Sequence, residues 1–555
     1  MADEKDITKD FLLCNRCGAC RAVCPVFDVY REEWAGARGK VELAEAFFRG
    51  EAISDAEILK IFDLCLHCMT CEENCPSGMR ADEIVLAVRA EMARRGRLPR
   101  LKAAALSTIR RMDAGVFRAM RRTGLVRRGT IHGYASGSPF GFLFPMIGWP
   151  SSRSVPLPAP KPFLGSNPEF FPASGLEGLL NGSVDAATTE KTQALLDLVR
   201  RARAENIGKG TRVYYFIGHA VNHFFPEEAS DLVWLLNLLG IDVLVPADQE
   251  CCGAPFFYAG DIESAREAAA IATDRIAGQR FDWIVTSCAS GGRMLKDEFP
   301  RLFDLSSDGF FEVGWDPAGE VFFRKKGEPE GARKYMEAGA KYRKHIEGRV
   351  LDINEFIAKV LGLEKEETGF DAAFGPGRGE GQAAGEGSAA PAGDAERPGS
   401  ADRPGERDDE GSSGNPGGEG SLPVVTYHHP CHLNRGQGVG WQPEALLELL
   451  PGYRYVRMAD ADRCCGGGGA FTFTHSKASE KVAARKMDAI AAVRPDIVST
   501  SCPVCRIQLM DMLRRRFALE AEKAGGEARR IAVRTPAELL AGELRKALKG
   551  RPEAV

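Results

Sequence analysis

Apolar residues follow two different spacings along this chain. Over the first 125 residues they recur at helical intervals, as at 41–48 and 58–64, with few β-branched runs. From about residue 210, short β-rich runs alternate with helical stretches. The predicted strands are 212–217, 242–245, 283–286, 424–427, 453–457 and 496–499, and the predicted helices among them are 227–239, 262–277 and 476–493. The pattern indicates a helical N-terminal segment followed by two α/β segments.

Shifts in composition divide the chain further. The stretch 126–205 is rich in Pro, Ser and Phe and is predicted to be an extended connector. Residues 371–421 are dominated by Gly, Ala, Pro, Glu and Ser, which predicts a disordered linker. The predicted organisation is α+β and multidomain, with segments at 1–125, 126–205, 206–370, 371–421 and 422–555.

Length and charge exclude some classes of protein. The 555 residues include 73 basic and 77 acidic side chains, a formal net charge of −4, which argues against a nucleic-acid partner. The N-terminus lacks the basic start and apolar stretch of a secretory signal. The apolar run 140–149 is about half the length that spans a bilayer. We therefore expect a cytoplasmic protein whose 16 cysteines bind metal and do not form disulfides.

One basic stretch stands out from this balance. Residues 89–128 contain 13 Lys or Arg and only two acids, without interleaved aromatic residues or a recognisable nucleic-acid-binding motif. The default interpretation is a solvated helical face. The second hypothesis is peripheral contact with anionic lipid headgroups or with an acidic partner subunit.

Eight cysteines form two runs of identical spacing near the N-terminus. CNRCGACRAVCP and CLHCMTCEENCP both have the C-x2-C-x2-C-x3-C-P spacing of bacterial ferredoxins. Three thiolates at this spacing hold one cubane, and the fourth cysteine ligates the other cluster. The predicted ligands are Cys14, Cys17, Cys20 and Cys75 for one [4Fe–4S] cluster, and Cys65, Cys68, Cys71 and Cys24 for a second. Zinc knuckles are the disfavoured alternative, because they need no third in-line cysteine.

The remaining cysteines indicate that the two α/β segments are an internal repeat. In the second segment, 32 residues separate Cys431 from Cys464 and 36 separate Cys465 from Cys502, with Cys505 three positions on. Two adjacent cysteines cannot easily bind one iron together, but each sulfur can serve a different iron. Cys502 precedes Pro503 at a predicted helix start, where the helix N-terminus stabilises a thiolate. This set is predicted to hold one further cluster.

The first α/β segment carries an incomplete version of the pattern. It has Cys251, Cys252 and Cys288, with His219 at the place of the first cysteine and Gly291 at that of the last. Metal binding by this half is left open, since His219 could replace a thiolate as imidazole does in Rieske centres. The glycine after each vicinal pair, Gly253 or Gly466, is expected to let the backbone approach the metal.

Histidines lie inside or beside these motifs. His67, within the second N-terminal run, is predicted to be a spacer because its neighbours complete the ligand set. In YHHPCH, three histidines surround Cys431 and either tune or cap a cluster, or are polar residues at a strand end; they are His428, His429 and His432. The glycine run 466–469 does not predict a phosphate loop, because no Lys-Ser/Thr pair follows it.

Two ferredoxin-type runs followed by paired Cys-Cys-Gly segments resemble the iron–sulfur subunits of glycolate oxidase and lactate dehydrogenase. They are also similar to the third subunit of anaerobic glycerol-3-phosphate dehydrogenase and to catalytic subunits of heterodisulfide reductase, in the wider cysteine-rich (CCG) domain family. The resemblance implies an α+β multidomain fold. A helical ferredoxin-type domain with two [4Fe–4S] clusters precedes a degenerate and then a complete CCG α/β domain.

The resemblance implies an electron-transfer subunit of a 2-hydroxy-acid dehydrogenase. An FAD-containing partner would oxidise lactate or glycolate, and this chain would pass electrons towards quinone or another carrier. No G-x-G-x-x-G follows a predicted strand, so the chain is expected to bind neither flavin nor NAD. The five cysteines of the second half resemble the set that holds a noncubane [4Fe–4S] cluster in heterodisulfide reductases. The alternative is therefore a thiol–disulfide oxidoreductase with Cys464 and Cys465 as catalytic residues, and a zinc-bound scaffold is the third.

Overall fold

The computed structural model describes seven stretches of the chain. These are residues 11–98, 158–180, 189–304, 312–315, 321–324, 332–363 and 422–548, apart from residues 12, 52, 470 and 525–528. The linker predicted at 371–421 lies outside them, as do most of the predicted connector and most of the basic stretch. Among the helices in the described stretches, none is long and apolar enough to cross a membrane.

The N-terminal domain is helical. Its helices are α1 (Ala19–Val23), α2 (Pro25–Tyr30), α3 (Ala37–Phe48), α4 (Asp55–Phe62), α5 (Thr70–Glu73) and α6 (Ala81–Arg94). The stretches predicted to be helical, 41–48 and 58–64, fall on α3 and α4, with the last two residues of the second beyond the end of α4. Ser54 begins α4 by accepting the backbone N–H of Glu57, a typical N-cap. Apolar faces of α3, α4 and α6 pack into one core around Ile58 and Ile84.

The first α/β domain contains a five-stranded sheet with helices around it. Its elements are β1 (Phe170–Phe171), α7 (Glu177–Leu180), α8 (Glu190–Lys209), β2 (Arg212–Tyr215), α9 (Gly218–Phe224), α10 (Pro226–Leu238), β3 (Asp242–Leu244), α11 (Ala254–Phe257), α12 (Ile262–Ala277), β4 (Trp283–Thr286), α13 (Ala289–Arg293), α14 (Phe299–Phe303), β5 (Glu312–Trp315), β6 (Val321–Arg324), α15 (Ala332–His345), β7 (Val350–Asp352) and α16 (Ile353–Leu361). The strand order is β1-β3-β2-β4-β7, parallel except for β1. Strands β5 and β6 form a separate antiparallel hairpin. The connector boundary predicted at residue 205 falls inside α8, which begins at Glu190.

The second α/β domain repeats this arrangement with four parallel strands. Its elements are β8 (Val424–Tyr427), α17 (Cys431–Gln437), α18 (Trp441–Glu448), β9 (Arg454–Tyr455), α19 (Phe471–Thr474), α20 (Ser476–Val493), β10 (Ile497–Ser499), α21 (Pro503–Ala524), β11 (Ala532–Arg534) and α22 (Pro536–Ala547). The strand order β11-β10-β8-β9 matches β7-β4-β2-β3 of the first domain. The helix predicted at 476–493 and the strand predicted at 424–427 coincide with α20 and β8.

Equivalent side chains hold both sheets together, as an internal repeat requires. The Tyr215 hydroxyl lies 2.9 Å from Ser287 Oγ, and in the second sheet the Tyr427 hydroxyl lies 2.8 Å from Ser501 Oγ. Asp352 and Thr535 each form a capping box at the helix that follows the last strand of their sheet. The two sheets also share one apolar core, to which α10, α16, α18 and α22 contribute buried residues.

A buried guanidinium joins the two α/β domains. Arg506 of α21 lies 2.8 Å from Glu228 of the first domain and 2.9 Å from Glu538, and its guanidinium lies over the Phe225 ring. Removing one partner of such a group leaves a charge with less compensation in a medium that solvates it poorly. The ion pair between Arg506 and Glu228 therefore links the two α/β domains.

We predict that Glu228→Ala lowers the free energy of unfolding by about 3 kcal/mol, because it removes one partner of a buried charge. The matched control is Asp231→Ala on the same helix, which removes a half-exposed ion pair with Arg545 of the second domain. That change is expected to cost less than about 1 kcal/mol. Anaerobic urea denaturation measures both, and equal shifts in the midpoint would contradict the assignment.

Candidate iron–sulfur centres

Four cysteines from both N-terminal runs surround one cavity. Its lining includes Cys24 of the first run with Cys65, Cys68 and Cys71 of the second, here named the second set. The rest of the lining is mainly apolar and comes from α2, α3, α6 and the loop before α5. The cavity thus presents four sulfur atoms to a space with a mainly apolar lining.

The surroundings of the second set suit thiolates bound to metal. Burial raises the pKa of Cys65, while the positive charges of Arg89 and Lys40 oppose this rise. The backbone N–H of His67 points at Cys65 Sγ at 3.4 Å, and that of Phe27 points at Cys24 Sγ at 3.5 Å. Nearby positive charge and N–H donors favour charged sulfur, and such hydrogen bonds tune cluster potentials.

The other N-terminal cysteines are Cys14, Cys17, Cys20 and Cys75, here named the first set. Cys17 is exposed, whereas Cys14, Cys20 and Cys75 contact the core of the helical domain. The two runs are tied where Ser77 Oγ donates to Asn15 Oδ1 at 2.7 Å. The backbone N–H of Met79 points at Cys75 Sγ at 3.4 Å.

The five cysteines of the second α/β domain are brought together from three separate segments of the chain. They are Cys431, Cys464, Cys465, Cys502 and Cys505, here named the third set. Cys464 makes a hydrogen bond to Cys431, and Cys505 makes hydrogen bonds to Cys465 and Cys502. Cys502 is in turn close enough to Cys431 for their charges to interact. The sulfurs therefore form a closed ring.

The third set can stabilise negative charge on sulfur. The pKa of Cys431 is lowered to about 5, first because Cys464 donates a hydrogen bond to it and then by His432 and Arg435. The pKa of Cys502 is lowered by its hydrogen bonds from Cys505 and from backbone N–H groups at the start of α21. Buried sulfurs that share protons in this way fit a polynuclear metal centre. Metal ions would then take the place of the shared protons.

The cysteines of the first α/β domain make a smaller arrangement. Cys251 and Cys252 are in hydrogen-bonding contact, and Cys288 lies near Cys252 and also near Cys502 of the second domain. Cys251 is fully buried in the apolar core of this domain. His219, on α9, stacks loosely on His223 with ring centroids 6.4 Å apart. Among the described residues, the group close enough to share one metal ion lies elsewhere, at His428, Cys465 and Cys505.

The glycines after the vicinal pairs allow close packing of a helix. Gly466 has a φ of +81°, and a Cβ there would lie 2.6 Å from the carbonyl oxygen of Ser479 in α20. Gly253, with a φ of +79°, approaches the carbonyl oxygen of Ala265 in α12 in the same way. The helix backbone therefore fills the space that a side chain would need, and approach of the glycine backbone to a metal stays a prediction.

The second and third sets meet at the interface between domains. Cys68 and Cys464 belong to one apolar cluster, and the charge of Cys431 contributes to the raised pKa of Cys68, about 12, after burial itself. The glycine run predicted not to bind phosphate lies at this contact. A Cβ on Gly468 would lie 2.5 Å from Leu66, so glycine allows the close approach of the two domains.

Polar residues bridge the same interface. His432 Nε2 lies 3.0 Å from the carbonyl oxygen of His67, and the Tyr258 ring stacks between these two imidazoles at 4.9 and 5.4 Å. His67, expected to be a spacer, thus helps to connect the domains. His429, beside the third set, is bonded to Glu444.

Sequence reasoning missed the residues that hold this interface. Arg89, assigned to a solvated basic face, is 7% exposed. Its guanidinium donates to the carbonyl oxygens of Phe62, Cys65 and Tyr258 and meets His67 Nε2 at 2.7 Å. No local pattern separates this arginine from its exposed neighbours, because its acceptors come from distant parts of the chain.

Comparison with known proteins gives matches to both kinds of domain. The model of a 4Fe-4S dicluster domain matches residues 10–79. The model of the cysteine-rich domain, CCG, matches twice, at residues 213–296 and 425–510. The double match confirms the internal repeat, and the dicluster match confirms the prediction of two N-terminal [4Fe–4S] clusters.

Relatives differ in how much of this chain they cover. A probable glycolate oxidase iron-sulfur subunit of Bacillus subtilis is 21% identical over 94% of this chain and 92% of its own length. Lactate utilization protein A of Geobacillus thermodenitrificans is 24% identical over 52% of this chain and 87% of its own. A subunit of the dihydromethanophenazine:CoB–CoM heterodisulfide reductase of Methanosarcina mazei is 39% identical, over 16% of this chain and 22% of its own. The chain spans about half the length of two other curated relatives that it matches.

The domain content follows from the matches and the fold together. A helical dicluster domain carries the two ferredoxin-type cysteine runs, and the two α/β domains repeat one strand order around vicinal cysteines. Two of the relatives are named as subunits of oxidoreductases, which implies partner subunits. The chain is therefore an iron–sulfur protein with one ferredoxin-type dicluster domain and two cysteine-rich (CCG) domains.

Proposed function

We propose that the chain is the electron-transfer subunit of a 2-hydroxy-acid dehydrogenase of the lactate or glycolate type. An FAD-containing partner oxidises the substrate, and the acceptor is quinone or another carrier. The match along 94% of the chain to a probable glycolate oxidase iron-sulfur subunit supports this assignment. When bound, the clusters would accept and release single electrons. The protein's own task is to hold them close together and away from water.

The proposed ligands follow the three sets. Those of the first N-terminal cluster are Cys14, Cys17, Cys20 and Cys75; those of the second are Cys65, Cys68, Cys71 and Cys24; and those of the third, noncubane cluster are Cys431, Cys464, Cys465, Cys502 and Cys505. The position of Cys24 on the cavity of the second run supports the crossed arrangement. The first CCG domain, with Cys251, Cys252, Cys288 and His219, is proposed to act chiefly as a scaffold.

The observation that carries the relay function is the contact between the second and third sets. Cys68 shares an apolar cluster with Cys464, in which Leu66 and Phe471 also lie. Short separation across apolar protein is what a relay between two centres requires. The burial of the third set points in the same direction, since Cys464 is 5% exposed, Cys465 2% and Cys502 4%.

The second candidate function is a thiol–disulfide oxidoreductase. The 39% identity to the heterodisulfide reductase relative over 91 residues favours it, as does the complete third set. A disulfide would have to reach Cys464 and Cys465, the two cysteines proposed to react. Because both sulfurs are packed beneath the N-terminal domain and α20, direct attack on a bulky disulfide needs that packing to open.

We predict that Cys24→Ala and Cys75→Ala damage different clusters. If the fourth ligands are crossed, Cys24→Ala gives the electron paramagnetic resonance (EPR) spectrum and iron loss of Cys65→Ala, whereas Cys75→Ala matches Cys14→Ala. Cys65→Ala and Cys14→Ala thereby show which EPR signal belongs to the second set and which to the first. Uncrossed ligands would produce the reverse pairing, in which Cys24→Ala resembles Cys14→Ala.

We predict that Gly468→Asn slows electron exchange between the second and third sets. The new side chain would meet Leu66 at the interface and push the domains apart. Gly469→Asn is the control, because Gly469 has a similar positive φ, +58°, and a Cβ there meets nothing within 4 Å. Rapid-freeze EPR after partial reduction measures the exchange, and equal rates in both variants would contradict a relay through this contact.

The proposed function is tested on the protein purified anaerobically with whatever binds it. A co-purifying flavoprotein and bleaching of the visible absorption by lactate or glycolate are the expected results. Cys464→Ala combined with Cys465→Ala is expected to stop onward transfer and to leave the N-terminal signals intact. The same double change at Cys251 and Cys252 is expected to do less harm. Rapid reduction of a disulfide by the isolated chain would support the second candidate, and a colourless zinc protein would exclude both.

A further inference from the structure

His428 is held in a fixed position beside the third set. It follows β8 directly, and its backbone N–H donates to the carbonyl oxygen of Ser499 in β10 at 2.9 Å. Its side chain is 1% exposed. The parallel pairing of these two strands therefore fixes the direction in which the imidazole points, and water does not reach it.

The ring of His428 lacks the partners that neighbouring histidines have. Neither of its ring nitrogens makes a hydrogen bond within the described part of the chain. His432, by contrast, meets Ser290 Oγ and the His67 carbonyl, both at 3.0 Å. Leaving a buried polar group unsatisfied costs about 1–3 kcal/mol, so such a group calls for a ligand or another physical reason.

The nearest backbone acceptor does not supply the missing bond. The Ala461 carbonyl lies close to the His428 ring, but outside hydrogen-bonding geometry. It already accepts the backbone N–H of His429 at 3.0 Å and Lys486 Nζ at 3.0 Å. The imidazole is therefore left to interact on its other side, where the cysteines lie.

On that side, one ring nitrogen of His428 and the Sγ atoms of Cys465 and Cys505 lie within 4.8 Å of one another. The nitrogen makes no hydrogen bond to either sulfur. Two ligands on one tetrahedral metal ion, at about 2.0–2.3 Å from it, are themselves about 3.5–3.8 Å apart. The ring nitrogen and the two sulfurs are thus spaced as three ligands of one metal ion could be.

We infer that His428 is a ligand of the third metal centre, on an iron that it shares with Cys465 and Cys505. The centre would then have mixed histidine and cysteine ligation. This inference rests on the proposed function only in requiring that the third set binds iron. Neutral imidazole donates less charge to iron than thiolate does, and histidine in place of cysteine raises the potential of Rieske clusters.

The test is pulsed EPR on the full-length protein in its anaerobically purified form. Protein grown with natural histidine is expected to show the strong ¹⁴N coupling of a directly bound nitrogen in the signal of the third set. Growth with ¹⁵N-histidine is expected to convert it to a ¹⁵N coupling. His428→Ala is expected to abolish this coupling, and His428→Cys is expected to keep the iron while lowering the midpoint potential. His429→Gln, which changes an equally buried histidine on the same loop, is the control that retains the coupling.

The outcomes separate this inference from the proposed function. If the third set contains iron but shows only the weak nitrogen coupling of a hydrogen bond, or if His428→Ala leaves the coupling unchanged, His428 is not a ligand and the relay stands. If wild-type protein contains no iron that depends on Cys464 and Cys465, the proposed third cluster fails, and the inference fails with it. Retained iron and potential in His428→Ala would also overturn the inference.

Discussion

The burial of one guanidinium, that of Arg89, determines how the parts of this protein meet. An arginine taken out of water must find acceptors for its N–H groups, and this one finds them on two domains. Phe62 and Cys65 offer carbonyl oxygens from the helical domain, and Tyr258 offers one from the first CCG domain. Gly260 lets the backbone of α6 come close, because a Cβ there would lie 2.4 Å from the Arg89 carbonyl carbon. The Tyr258 carbonyl thus completes the acceptors of a guanidinium that is held mainly by its own domain, and it ties the first CCG domain to the helical domain.

This constraint explains why an incomplete CCG domain remains useful. It supplies the Tyr258 carbonyl and the Tyr258 ring at the interface, and it shares its apolar core with the complete domain. Glu228 adds a buried partner for Arg506, which directly follows a cysteine of the third set. Gly291 stands where the repeat has its last cysteine. This position therefore lacks a thiol, but all of these contacts are kept. The first CCG domain thus supports the interface whether or not it binds metal itself.

Much of the fold was predictable from the sequence, because local patterns determine it. Helix α12 coincides with the predicted 262–277, since Asp261 caps it and its apolar residues keep helical spacing. The repeat followed from cysteine spacing alone and is seen in the strand order of both sheets. Strand β1 was missed, because it is two residues long and pairs only with the edge of β3. Its formation depends on a neighbour that no local window contains.

In the candidate sites, too, local patterns were predictable and contacts between distant segments were not. Cysteine runs with fixed spacing are visible in the sequence itself. The contacts of Arg89, Tyr258 and Gly468, by contrast, depend on segments more than 150 residues apart, or about 400 in the case of Gly468 and Leu66. The three histidines of YHHPCH looked alike in sequence. The structure separates them, because His429 is bonded to Glu444, His432 joins the two domains, and His428 faces the third set. Tertiary packing therefore decides the role of each of these histidines.

The position of the second set has a consequence for how the protein matures. Cys68 is 8% exposed once the CCG domains cover it, whereas Cys17 of the first set stays open to solvent. A carrier that delivers preassembled metal must touch the thiols that receive it. Because the N-terminal domain leaves the ribosome first and domains fold as units, it is free to be loaded before the rest is synthesised. Docking of the CCG domains then covers Cys68, so metal delivered to that thiol before docking would meet a more open site.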